Sequence, residues 1–165
     1  MINRINFFKK GSGLVEVLVA VFIFSIILGS LITASNTYLS GAEDNLKSTR
    51  GAYLAEEGIE AIKIMRDISW NNIGILSDNT DYYLYFDTSS STNNTWRATS
   101  TISSLDSIYT RAFKLDSVFR DLEGRIITSS GTLDLNTRKV SVSVSWPSKN
   151  TITTKTLSTY ITNII

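Results

Sequence analysis

The stretch from Leu14 to Leu28 constrains this chain more than any other. Its residues are Val, Leu, Ile, Phe and Ala, interrupted only by Glu16 and Ser25, and weakly polar, uncharged residues carry the run past Thr33. About 20 such residues form a helix of about 30 Å, enough to cross a hydrocarbon core. An acidic side chain in the middle of a bilayer costs about 3 kcal/mol, so Glu16 needs a functional reason. Arg4, Lys9 and Lys10 precede the run, and the next basic residue is Lys47. The excess of basic residues on one side places the N-terminus in the cytoplasm and the bulk of the chain outside.

The junction Lys9-Lys10-Gly11-Ser12-Gly13-Leu14-Val15-Glu16 is a short basic leader ending in Lys-Gly, with Glu the fifth residue after that glycine and an apolar helix following. It resembles the N-terminal signal of the type IV pilin family. The resemblance implies that a membrane prepilin peptidase cuts between Gly11 and Ser12 and methylates the new amine of Ser12. It implies that Glu16, the fifth mature residue, pairs with the N-terminal amine of a neighbouring subunit in a filament. Lys9 and Lys10 are then the basic residues of the leader. Family members usually begin with Phe and Thr where this chain has Ser12 and Gly13. Many also carry a proline low in the apolar helix, whereas the single proline here is Pro147, which leaves open whether the helix bends near Gly29. An ordinary secretory signal or an uncleaved signal anchor would also supply a basic start and an apolar core. Neither accounts for Glu16, or for Gly11 set between Lys10 and the apolar run.

Composition bounds the rest. A chain of 165 residues suits one membrane helix and one small domain. The net charge of +1 becomes −2 once Arg4, Lys9 and Lys10 leave with the leader, so electrostatics give no case for nucleic acid. The chain has no His and no Cys, which removes the commonest general base, the commonest metal ligand and any disulfide. The carboxylates are scattered and no glycine-rich phosphate loop follows a strand. An enzyme, a cofactor or a metal centre is therefore not expected. Asp78, Asn79 and Asp81 cluster oxygen ligands, but Asp and Asn are also the usual turn residues and the EF-hand spacing is absent, so calcium there is left open.

Four segments follow: a leader over 1–11, a membrane or filament-core helix over 12–35, an amphipathic continuation over 36–68, and a β-rich head over 69–165. Ala55, Ile59, Ile62 and Met65 fall on one helical face,. Gly41, Gly51 and Gly58 each weaken a helix by about 1 kcal/mol, so this half needs a sheet packed on its apolar stripe. Glu56, Glu57 and Glu60 form an acidic face, either solvated or meeting a basic neighbour in a filament. Ser69 to Asn72 ends the helix. Tyr82–Phe86 and Trp96–Ile102 read as strands. In the next strand Tyr109, Phe113 and Leu115 share a face, and Asp121–Gly124 turns into Arg125–Ile127. In Val140–Trp146 valines and Trp146 share one face and serines the other. Pro147–Asn150 turns the chain into Thr151–Thr162, with Leu157 and Ile161 on one side and Ile152 and Tyr160 on the other.

The run Leu54 to Lys63 and the ending from Lys139 to Asn163 are similar to minor pilins and to minor pseudopilins of type II secretion. The expected architecture is α+β: a long N-terminal helix, half membrane and half amphipathic, packed on a C-terminal antiparallel sheet, as in the pilin fold. The expected function is that of a minor pilin, a non-enzymatic subunit held in the inner membrane and built into a filament after leader removal. Its partners would be the prepilin peptidase, other pilin or pseudopilin subunits, and the inner-membrane assembly platform. The alternatives are a minor pseudopilin, or a membrane-anchored surface adhesin.

Overall fold

The structure, a computed structural model, describes residues 12–89, 94–127, 130–149 and 151–164. The leader with Lys9, Lys10 and Gly11, and Asn150 of the last turn, lie outside the described residues. Helix α1 runs without a break from Ser12 to Ile68. With no proline before Pro147, nothing removes a backbone donor along it, and the helix continues through Gly29. Two compact units divide the chain, residues 1–45 and 46–165.

In the first unit every residue from Gly13 to Ser40 is exposed. Leu14, Phe22 and Leu31 are each at least 65% exposed. Helix α1 is long and apolar enough to span a membrane once,. Four hydroxyls along it are satisfied within the helix. The hydroxyls of Ser25, Ser30, Thr33 and Thr37 donate to the carbonyls of Val21, Ile26, Gly29 and Thr33, four residues back, at 2.8–3.0 Å. In hydrocarbon such bonds leave no hydroxyl proton without an acceptor.

The second unit holds the rest of α1, a short helix α2 (Asn71–Gly74), and, among the described residues, seven strands. These are β1 (Tyr82–Asp87), β2 (Thr95–Thr99), β3 (Ser104–Leu105), β4 (Tyr109–Arg120), β5 (Ile126–Ile127), β6 (Thr132–Ser148) and β7 (Thr151–Thr162). The main order across the sheet is β2-β1-β4-β6-β7, with every pairing antiparallel. One edge of β4 pairs with β6. The other is shared by β3, β1 and β5 in turn.

The core forms where the apolar stripe of α1 meets one face of this sheet. Ala55, Ile59, Ile62 and Met65 are buried, together with Phe113, Leu115, Val140, Val142, Val144 and Trp146. Two glycines on that stripe explain why the helix tolerates them. An added Cβ at Gly51 would lie 2.5 Å from the Trp146 ring, and one at Gly58 would lie 2.8 Å from Val142 Cγ1. Glycine here trades helix propensity for close approach to the sheet. On the outward face the serines of β6 pair hydroxyl to hydroxyl with β7: Ser141 with Ser158, Ser143 with Thr156 and Ser145 with Thr154, each at 2.9 Å. Such cross-strand pairs stabilise a sheet directly.

Several elements differ in extent from the sequence reading. The strand begun by Trp96 stops at Thr99, opposite Tyr83, and Ile102 is 69% exposed beyond it. Strand β6 begins at Thr132 and passes through Pro147 and Ser148, which pair with Ile152 and Thr151. The expected four-residue turn thus shortens to its tip at Lys149, whose φ is +53°. Proline is accommodated because the β4 ladder on β6 ends at Ser145, so it interrupts no pairing on that side. In β7 Ile161 is buried, while Leu157, on the same side, is 40% exposed because it lies on the outermost strand.

Candidate functional site

Two regions carry the functional candidates: the exposed start of α1, and the contacts that fix the second half of α1 to its sheet. Ser12 is the first residue of α1. Glu16 follows one turn later, exposed among Leu14, Val15, Val17 and Leu18. It has no hydrogen-bond or ion-pair partner among the described residues. A carboxylate on an otherwise apolar helix can do one thing well: meet a cation supplied from outside this helix, where the low dielectric makes the pairing strong. Further along, Gly29, Ser30, Thr33, Ala34 and Thr37 line a shallow groove between Ile26 and Tyr38. Small side chains of this kind let a second helix come close.

The contacts between α1 and the sheet contain a residue the sequence reading missed. Arg111 stands on the inner face of β4 between Tyr109 and Phe113 and is 2% exposed. Its Nη1 donates to the Leu54 carbonyl at 3.1 Å and lies 3.3 Å from Glu57 Oε2. The guanidinium sits 5.3 Å from the centroid of the Trp96 ring, a cation–π distance,. Burial pulls its pKa down, opposed by the charge and hydrogen bond of Glu57. Glu57 therefore has a partner within its own chain. Glu60 likewise pairs with Lys63 at 2.6 Å, so two of the three acids in that face are internally matched.

A second buried arginine, Arg138 on β6, reaches the segment after α1. It donates to the carbonyls of Gly74 and Leu76, each at 3.1 Å, and forms an ion pair with Asp78. Asp78 also accepts from the backbone amide of Ser117 at 3.1 Å and from its hydroxyl. Asp81 lies 3.6 Å from Lys114. The carboxylates of Asp78 and Asp81 thus face cations and donors of the sheet. Among the described residues, no three His, Cys, Asp or Glu side chains converge on a point where a metal could sit.

Elsewhere half-buried carboxylates are held by arginines. Arg120 donates to Asp134 at 2.6 Å, and this bond first, with one from Thr137, holds the Asp134 carboxyl below the usual range. Arg125 does the same for Asp121. For Asp87 the hydroxyl and amide of Ser89 lead, with Arg97 third.

No family model, no curated protein and no solved structure matches the chain.

Proposed function

We propose that this chain is a minor pilin of the type IV pilin class, a structural subunit held in the inner membrane by α1 and built into a filament after removal of residues 1–11. The observation that carries this reading is Glu16 on a fully exposed apolar helix, one turn after Ser12. Cutting after Gly11 frees an amine at Ser12, the one cation created at that depth. A neighbouring subunit's amine meeting Glu16 offsets the cost of burying both charges and fixes the axial stagger of the helices. The groove at Gly29 and Thr33 allows close helix approach in such a core, and the back-bonded hydroxyls keep the helix apolar outward. Lys9 and Lys10 hold the leader at the cytoplasmic face for the prepilin peptidase. The head, fixed to the second half of α1 by Arg111, would ride on the filament surface. A minor pseudopilin of type II secretion would use the same processing and contacts, and co-purification with pilus or with pseudopilus subunits distinguishes the two.

The test is Glu16→Val. Membrane insertion should persist or improve, because a cost of about 3 kcal/mol disappears, and cutting after Gly11 should continue. Incorporation into sheared filaments should collapse, because the partner amine loses its counter-charge, a loss of about 3–5 kcal/mol. Glu16→Asp should be intermediate. Equal incorporation of Glu16→Val and the parent would refute charge pairing and leave Glu16 a carboxylate near the positive end of the helix dipole.

A further inference from the structure

The outward face of the sheet carries a hollow that the assembly reading does not use. Register between β4 and β6 breaks after Ser117, which lies opposite Arg138, while Val118 lies opposite Asp134. Residues 135–137 of β6 have no partner there. Such irregularities bend a strand and re-aim its side chains. At the same level β5 folds onto the other edge of β4, with Ile127 opposite Phe119 and Ile126 opposite Arg120. The result is a hollow of about 220 Å³, walled by Val118, Ile126 and Ile127 and lined by Asp116, Ser117, Lys139 and Tyr160.

Asp116, Lys139 and Tyr160 form a row across adjacent strands. Asp116 lies opposite Lys139, and Lys139 opposite Tyr160. Cross-strand partners place their Cβ atoms about 5 Å apart, within easy reach for an ion pair. Yet among the described residues the side chains of Asp116 and Lys139 make no ion pair or hydrogen bond, with each other or with any other group. This contrasts with Asp87, Asp121 and Asp134, each joined to an arginine within 2.8 Å. A carboxylate and an ammonium are therefore offered side by side, beside an apolar wall, without neutralising one another.

We propose that this hollow binds a compact zwitterion with an aliphatic group, of the class of a free aliphatic amino acid. The ligand ammonium meets Asp116, and its carboxylate meets Lys139 and accepts from the Tyr160 hydroxyl. Its hydrocarbon lies on Val118, Ile126 and Ile127. The volume is below the roughly 300–1,000 Å³ of pockets that enclose drug-sized molecules, which restricts the ligand to about this size. A neutral sugar would leave both charges without a counter-ion.

The experiment is saturation-transfer NMR on the full chain in deuterated detergent micelles, titrated with L-leucine and separately with glucose. Saturable transfer to the leucine methyl protons is expected in the millimolar range or tighter. Lys139→Met and Asp116→Asn should each weaken it at least about tenfold, the effect of one lost charged hydrogen bond, with unfolding midpoints unchanged. Absence of saturable transfer to leucine, transfer unaltered in both variants, or equal transfer to glucose would each overturn the proposal.

Discussion

Gly51 offers the sharpest test of how the second half of α1 is held. In an exposed helix, Gly→Ala gains about 1 kcal/mol from propensity alone. Here the new Cβ would lie 2.5 Å from Cζ3 of Trp146 and 3.0 Å from Cε3 and Cη2. Carbon atoms are comfortable at about 3.5–4.0 Å, so helix or ring must give by roughly 1 Å. The ring has little freedom. Trp146 is 3% exposed and lies against Tyr109 with centroids 5.9 Å apart. Tyr109 in turn donates its hydroxyl proton to the Lys47 carbonyl at 3.3 Å. Overpacking of this kind costs about 1–3 kcal/mol, so Gly51→Ala should be destabilising on balance, by up to about 2 kcal/mol. Gly58→Ala should cost less, because its nearest neighbour, Val142 Cγ1, lies 2.8 Å away against 2.5 Å at Gly51. Urea unfolding of the full chain in mild detergent, followed by tryptophan fluorescence, reads this directly, since all three tryptophans lie in residues 46–165. Gly41→Ala, with nothing within 4 Å of its Cβ, meets no clash and should not lower the midpoint, since only the propensity gain of at most about 1 kcal/mol applies there. A Gly51→Ala protein as stable as the parent, or more so, would refute the close-approach argument.

Two further predictions follow from the polar contacts. Arg138→Met removes the donor to Gly74, Leu76 and Asp78 and should cost about 2–3 kcal/mol for the acceptors left behind; amide exchange should accelerate first at Asn79, whose N–H donates to the Leu115 carbonyl, and unchanged protection there would contradict that role. The depressed carboxyls of Asp87, Asp121 and Asp134 make stability fully present above the unfolded value of about 3.9, and it is lost as pH falls through their lower folded values. With no His in the chain, the unfolding midpoint should be flat from about pH 5 to 8 and drop below about pH 4; a drop between pH 7 and 5 would show that other groups dominate.

The elements that sequence made legible are those with a strong local period. The uniform apolar run gave the first half of α1, the spacing of Ala55, Ile59, Ile62 and Met65 gave its buried stripe, and strict alternation gave Val140–Trp146. What stayed hidden depends on partners distant in sequence. Arg111 shares the strand parity of Tyr109 and Phe113, so the alternation already placed it on the inner face. Its charge argued against burial, and only the fold brings Glu57, the Leu54 carbonyl and Trp96 around it. Glu57 looked like part of a solvated acidic face for the same reason. Gly51 and Gly58 read as local weaknesses because propensity knows nothing of Trp146 and Val142. Asp78 read as a turn residue, which it is, while its contacts with Ser117 and Arg138 span 39 and 60 positions. For the proposed assembly site, Glu16 was legible because a carboxylate in an apolar run is anomalous wherever it occurs.

The most direct measurement for the proposed assembly role is the intact mass and N-terminal sequence of the mature protein recovered from membranes. The account predicts a chain beginning at Ser12, with all of residues 1–11 removed and one methyl group on the new amine. A native N-terminus at Met1, or one near Asn36 after the apolar helix, would contradict it, because no amine would then be available at the depth of Glu16.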